Sequence, residues 1–341
     1  MTGPYVLPDQ MYIEQLINRL WTGREVGQAA VMVGAGFSRN ANRITVSTPV
    51  FPLWEELASI MFDALYPNGI EDRDEKRSKV LSGAGALRLA SEYQEVFGRM
   101  ELDDLLLQAI PDSSYSPGLL HEMLLSLPWS DIFTTNYDTL LERTLPLIYE
   151  RKYDVIVNAS DLPGSTRPRI VKLHGSFPSN RPFIITEDDF RTYPRLFAPF
   201  VNTVQQSLME NVLCLIGFSG DDPNFLYWTG WVRDNLGVNS PLIYLCGLLD
   251  LTHSQRQVLK KRNVIPIDLS PLFPKANWPD AGLRHSKALE WLLITLLNGA
   301  PPSVMDWPES LSGTRWKPSP GLPETPSPNQ LSNTDLQNII R

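Results

Sequence analysis

The stretch Val31-Met32-Val33-Gly34-Ala35-Gly36-Phe37-Ser38-Arg39 decides how the rest of the chain is read. The apolar run from Ala29 to Val33 has the length of a short buried strand. It stops at two glycines flanking Ala35, before a polar, helix-compatible segment begins at Ser38. Strand, glycine turn and helix start therefore follow one another. Glycine permits positive φ and a close approach of ligand to backbone, while the free amides of a new helix attract anionic phosphate. The guest such a turn suits is a nucleotide diphosphate. Gly-x-Gly is shorter than the usual dinucleotide fingerprint, so from these residues alone a tight connecting turn stays open.

Outward from this stretch the chain alternates. Before it, Ile13, Leu16, Ile17 and Leu20 lie at helical spacing between Met11 and Trp21, giving an amphipathic helix that packs beside the strand. After it, Asn40 to Thr48 is polar and irregular, placed to cover a ligand, and Phe51-Pro52-Leu53-Trp54 opens a helix through about Leu65. From Asp72 to Leu127 the pattern reads as helical throughout, broken at Pro111 and Pro117, which predicts an inserted helical module over about 52–128. Further strands are expected at Ile132 to Thr134, Val155 to Val157, Ile170 to Leu173, Phe183 to Ile185, Val212 to Ile216, Leu242 to Leu245 and Val264 to Ile267. Helices around Phe197 to Met209, Asn224 to Asp234, Ser254 to Lys261 and Ser286 to Leu297 separate several of them. The expected fold is α/β, a doubly wound and mostly parallel Rossmann-like sheet, which binds ligands at the carboxyl ends of its strands. Residues 301–341 are proline-rich with no apolar period, the pattern of a linker or C-terminal arm.

Composition narrows the partners. A chain of 341 residues, 43% of them apolar, can bury one core with an embedded module or tail. A net charge of -8 and a pI near 5.1 speak against a broad basic surface, so no direct nucleic-acid binding is expected. Cys214 and Cys246 both sit in apolar runs and cannot form a disulfide framework or a four-cysteine zinc site. With no leading signal-peptide pattern and no apolar run near the ~18 residues that span a bilayer, a soluble cytoplasmic protein is expected.

Three more expected strand ends carry polar or glycine-rich turns. They are Thr134-Thr135-Asn136-Tyr137-Asp138, Lys172-Leu173-His174-Gly175-Ser176 and Ile216-Gly217-Phe218-Ser219-Gly220-Asp221-Asp222-Pro223-Asn224. Singly, each has an ordinary reading as a helix cap, a hydrogen-bonded histidine or a turn. Taken in order after Gly34-Ala35-Gly36-Phe37-Ser38, they resemble the motif set of the sirtuin family, over roughly residues 28 to 270. The nearest look is to the divergent sirtuin-like NAD-hydrolase domains of bacterial anti-phage defence proteins.

The resemblance implies a catalytic NAD-binding domain over about 1–300. Gly34, Ala35 and Gly36 would hold the pyrophosphate, with Phe37 and Ser38 beside it. Thr135, Asn136 and Asp138 would line the pocket around nicotinamide and its ribose, His174 would be the catalytic base, and Gly217, Phe218 and Ser219 would lie near the adenosine half. Two departures stand out. The family's deacylases carry paired zinc cysteines after the histidine, and Ser176 to Asn211 has none; nor does Asn40 to Trp54 match their Ile-Pro-Asp-Phe-Arg-like segment.

Nicotinamide in NAD is a cationic leaving group on an anomeric carbon, so its cleavage needs positioning and stabilisation of an oxocarbenium-like centre. An Asn can orient a water or hydroxyl without titrating, and an imidazole of pKa near ~6.5 can accept a proton at neutral pH, which suits Asn136 and His174 to those parts. With no acyl-lysine groove recognised, water is the expected acceptor, giving nicotinamide and ADP-ribose, linear or cyclised, with no metal. A deacylase or ADP-ribosyltransferase using NAD, and a module that senses NAD or ADP-ribose without turnover, are the competing readings. His121 is expected to pack on a helix, His253 and His285 to begin helices, and Glu187-Asp188-Asp189 to cap one. Asp221-Asp222-Pro223 is read either as a ribose contact or as a cap. The helical module and the arm are candidate contact surfaces for a homo-oligomer, a defence-system partner or a further C-terminal domain.

Overall fold

The computed structural model describes residues 7–23, 25–69, 72–81, 85–220, 222–303 and 307; the rest of the expected proline-rich arm, and Asp221, lie outside the described residues. The chain enters through α1 (Gln10–Leu20), β1 (Ala29–Val33) and the single turn α2 (Ala35–Ser38). Next come β2 (Asn42–Arg43), α3 (Trp54–Leu65), α4 (Arg73–Leu81), α5 (Gly85–Phe97), α6 (Arg99–Ala109), β3 (Tyr115–Ser116) and α7 (Leu119–Ser126). Alternation resumes with β4 (Asp131–Thr134), α8 (Leu140–Thr144), β5 (Asp154–Ile156), β6 (Arg169–Lys172), α9 (Glu187–Leu196), α10 (Ala198–Glu210) and β7 (Val212–Ile216). It closes with α11 (Pro223–Leu236), β8 (Ile243–Gly247), α12 (His253–Lys261), β9 (Val264–Asp268) and α13 (Ala281–Asn298).

The expected doubly wound α/β fold is what forms. Seven parallel strands lie in the order β5-β6-β4-β1-β7-β8-β9, with β1 at the centre. The run Ala29–Val33 is buried along its whole length because helices cover both faces. Val31 and Val33 join one core with Leu16 and Leu20 of α1, Leu124 of α7 and Leu292 of α13. Ala30 and Met32 join the opposite core with Val204 of α10 and Trp228 of α11. Burying each such large side chain stabilises the fold by about 1.5–3 kcal/mol.

Register is what makes a site. Val33 pairs with Thr134 on one side and Ile216 on the other, and Thr134 pairs with Lys172. The four motif turns therefore leave the sheet at one level, along one edge. From β1 the chain fills one flank, with β4 beside it, β5 at the edge and β6 returning between those two, then restarts at β7 on the other flank, so β1 and β7 bound the topological switch point where open α/β sheets bind ligands.

A third core sits over this edge. Leu57, Met61 and Phe62 of α3, Leu89 of α5 and Leu102 and Leu106 of α6 pack together, and Tyr137, Phe177, Phe183 and Ile185 from the sheet-edge loops enter the same cluster. The helical segment thus shares its core with the loops that carry the motifs.

Three expectations are corrected. Asp72 to Leu127 is not helical throughout, because Tyr115–Ser116 pairs antiparallel with Asn42–Arg43 and ties the loop after the glycine turn to the segment before α7. The Tyr115 hydroxyl secures this strap by accepting from Arg43 Nε at 3.1 Å and donating to the Pro49 carbonyl at 2.9 Å. Phe183 to Ile185 is buried but is no strand. Its backbone serves other partners: the Ile184 amide donates to the His174 carbonyl, the Ile185 amide to the Asp189 carboxylate, and the Ile184 carbonyl accepts from the Tyr137 hydroxyl. Lastly, His285 does not begin a helix but lies half-buried inside α13.

Candidate active site

The two glycine turns at the sheet centre are locked backbone to backbone. The Gly34 amide donates to the Ile216 carbonyl at 3.2 Å, and the Gly36 amide to the Gly217 carbonyl at 3.1 Å. A Cβ on Gly34 would stand 2.5 Å from the Gly217 oxygen, and one on Gly217, where φ is +61°, would stand 2.3 Å from the Phe37 nitrogen. Glycine at these positions answers to the approach of one loop to the other as well as to any ligand. The amides of Gly34 and Gly36 are thereby spent on the protein, unlike the free amides the turn suggested. Ala35 and Gly36 remain partly exposed at the crevice, whereas the Phe37 ring is buried beneath the turn, edge-on to His121 with centroids 4.9 Å apart.

Ser38, Asn136 and Asp138 are brought together although about a hundred residues separate Ser38 from the other two. Asn136 Nδ2 donates to Ser38 Oγ at 2.9 Å, and Ser38 Oγ donates to Asp138 Oδ2 at 2.7 Å. The other carboxylate oxygen, Oδ1, accepts from the amide of Leu140, the first residue of α8, at 3.2 Å. Thr134 anchors the start of the loop, its hydroxyl donating to the Val33 carbonyl and accepting from the Asn136 amide. Burial pushes the Asp138 carboxyl above its ordinary range; the nearby Lys172 ammonium and the Ser38 bond oppose this without cancelling it. Thr135 sits half-buried between these anchors.

Lys172, which the sequence did not single out, supports this unit from below. It is 1% exposed, lies 3.1 Å from Glu142 Oε1 and donates to the Asp138 carbonyl. Tyr137 holds the loop from the other side, its ring against Phe177 and Phe183 and its hydroxyl 2.7 Å from the Ile184 carbonyl. The Asn136–Asp138 loop is therefore clamped between sheet and helical core.

His174 occupies a different environment. It is 3% exposed, edge-on to Phe190 at 5.2 Å and Tyr193 at 5.6 Å, and its Nε2 lies 3.3 Å from Asn224 Nδ2. Burial lowers its pKa, with Asp222 and Asp189 pulling weakly the other way, so the ring is neutral at neutral pH. Among the described residues no hydrogen bond joins His174 to Asn136. Asn224, which ends the turn after β7 and starts the expected helix, is a second residue to which the sequence assigned no role in the site. Its neighbour Asp222 caps α11 by accepting from the Phe225 amide at 3.0 Å. Gly217, Phe218 and Ser219 follow β7, and a cavity of about 290 Å³ opens beside Ser219 and Gly220, with Arg233 and Arg262 on its rim.

The remaining histidines serve the fold. His121 is buried, its Nδ1 accepts from the Gly118 amide at 3.2 Å, and burial pushes its pKa down to about 4. His253 is exposed at the start of α12. Among the described residues no three His, Cys, Asp or Glu side chains converge as metal ligands, and no helix is long and apolar enough to cross a membrane.

Comparison with known proteins places this geometry. Residues 130–267 match the family model described as SIR2-like domain. The chain is 30% identical over 225 residues to an NAD(+) hydrolase ThsA of Acinetobacter baumannii, covering 64% of this chain and 42% of the relative. It is 28% identical over 216 residues to the NAD(+) hydrolase ThsA of Enterococcus faecium, covering 61% and 41% respectively. The chain thus spans about two fifths of the length of these relatives. The sirtuin-like character implied by the order of the motifs is borne out.

Proposed function

From a sirtuin-like chain we propose an NAD hydrolase that cleaves the bond between nicotinamide and ribose, releasing nicotinamide and ADP-ribose. The observation that carries the reading is the convergence of Ser38, Asn136 and Asp138 at the switch point of the sheet, on the edge that also bears a neutral, buried His174. The similarity to proteins named NAD(+) hydrolase supports the substrate.

In this reading the Gly34–Gly36 turn and the Gly217 turn seat the pyrophosphate and the adenosine half. The Asn136 amide is pinned through Nδ2 to Ser38, which leaves Oδ1 to orient the ribose or an incoming water. The Asp138 carboxylate fixes Ser38 and adds negative potential where positive charge develops on the ribose. His174 accepts the proton released as water adds at the anomeric carbon. In a cell the consequence would be loss of NAD, the role implied by the defence-protein resemblance. Such an activity requires restraint, and we place that restraint in assembly with further copies, a partner or a C-terminal region, through the helical segment and the arm.

Incubating the purified chain with NAD and following nicotinamide and ADP-ribose, with and without an acetyl-lysine peptide, tests the reaction class. The hydrolase reading expects equal release in both. Release only with peptide would make the chain a deacylase, and binding without release would make it a sensor.

A further inference from the structure

The cavity that opens beside Ser219 continues beneath the turn, between α11 and α12 on one face of the sheet, and its volume is about 290 Å³. Small-molecule sites begin at about that size. Leu215 of β7, Leu245 of β8 and Val264 of β9 floor it, and Phe225 of α11 and Leu259 of α12 wall it. Val264 is level, through Ile243, with Leu213, so the cavity follows the strands from their amino ends up to the turn at Gly217, a run of roughly 13 Å at the rise of a strand. Gly230, inside α11, helps to keep it open. A Cβ there would meet nothing within 4 Å, at a helix position where alanine would be the stronger helix former.

The polar groups gather at the end away from the motif turns. Helix α11 leaves the motif edge at Pro223 and carries Arg233, in its last turn, toward the amino edge of the sheet, where Arg262 follows α12 just before β9. There both arginines also border a small second cavity with Asn211, Ser240 and Asn263, the residues that lead into β7, β8 and β9. Neither guanidinium has a hydrogen-bond or ion-pair partner among the described residues. The Thr229 hydroxyl, by contrast, is spent on the Phe225 carbonyl at 2.9 Å. What the cavity offers a guest is thus an aliphatic trough with two cations at one end, in a chain whose net charge is -8.

We propose that this cavity is a second ligand site, for a medium-chain carboxylate whose head is held by Arg233 and Arg262 and whose tail lies over Leu215, Leu245 and Val264. Two like charges on one rim focus a positive potential that an anion relieves, and a guanidinium matches a carboxylate with paired N–H donors. The trough rewards a tail, about fourfold in affinity for each methylene taken out of water. A sugar or a base edge would find few free hydrogen-bonding groups along this floor. The assignment stands apart from the hydrolase reading, because the cations lie at the opposite edge of the sheet from Asn136 and His174.

Calorimetric titration of the full chain with octanoate, hexanoate and 1-octanol tests it. Octanoate should bind saturably at one site per chain, and hexanoate, shorter by two methylenes, about tenfold more weakly. Arg233→Gln combined with Arg262→Gln should weaken octanoate by about tenfold or more and leave the weak binding of 1-octanol unchanged. Gly230→Leu, which fills the open space, should block octanoate while thermal unfolding stays cooperative. Adenosine should not displace octanoate from the wild type. Absence of octanoate binding would overturn the proposal, as would binding unchanged in either the arginine or the glycine variant. Displacement by adenosine would overturn it too, giving the cavity to the dinucleotide. None of these readouts needs NAD turnover, so failure here is distinguishable from failure of the hydrolase reading.

Discussion

Two polar clusters share the carboxyl edge of the sheet and are built on opposite plans. Around Asn136 the bonding is dense: Ser38, Asp138, Thr134 and the ion pair of Lys172 with Glu142 interlock. Around His174 the walls are aromatic, and a single amide, that of Asn224, meets the ring. Dense bonding fixes geometry, whereas sparse, dry surroundings set protonation, because burial without a charged partner disfavours the charged form. On the hydrolase reading proposed above, the difference is a division of labour: one cluster would orient the substrate and the other would manage its proton.

Breaking the second cluster should have the largest effect. His174→Ala is expected to lower NAD turnover by about 10²- to 10⁴-fold while the melting curve stays cooperative, read by nicotinamide release beside thermal unfolding. Turnover within a few-fold of wild type would remove His174 from the chemistry.

His121 sharpens the comparison, as a second buried imidazole that lacks a place on the site. Burial holds its folded pKa at about 4, with the Arg143 charge adding to the effect. An unfolded imidazole takes its proton near ~6.5, so between these values the unfolded chain binds more protons and stability falls as pH drops. His121→Gln should shrink the loss of unfolding free energy between pH 7 and pH 4 by about 3 kcal/mol, measured by denaturant titration at both pH values. An unchanged pH slope would show that His121 does not resist protonation.

At the seam between the two glycine turns, Gly217→Ala puts a Cβ 2.3 Å from the Phe37 nitrogen at φ +61°. A loss of about 2 kcal/mol in stability is expected, together with weaker NAD binding by calorimetry. Wild-type values for both would mean that the two turns are not locked. Smallest is Ser38→Ala, which leaves the Asn136 amide and the Asp138 carboxylate without their shared hydroxyl. Turnover should drop roughly tenfold, the cost of about one hydrogen bond to a charged group, and an unchanged rate would separate that hydroxyl from the site.

Much of the fold was legible because parallel strands buried on both faces read as unbroken apolar runs, as in Ala29–Val33 and Val212–Ile216. The same signal misled at Phe183 to Ile185, where Phe183 and Ile185 fill the core of the helical segment and Ile184 joins a core beneath the sheet without forming a strand, and periodicity cannot tell these fates apart. The strap of Tyr115–Ser116 was invisible because two residues carry no period. In the site, residues at strand ends announced themselves through glycine, Asn and His. Lys172 and Asn224 did not: a lysine closing a strand reads as exposed, and an Asn after proline reads as a helix start. Only the fold shows that both are buried and aimed at the motifs.

The central claim, that this edge cleaves NAD with water as the acceptor, is tested most directly by the time course of nicotinamide release from NAD without any acyl peptide. Wild type, His174→Ala and Asn136→Ala would be followed side by side. The account predicts steady release by the wild type, matched by ADP-ribose, and near-baseline traces from both variants. Nicotinamide release that persists unchanged in both variants, or a wild type that binds NAD and leaves it intact in every assembly state, would contradict it.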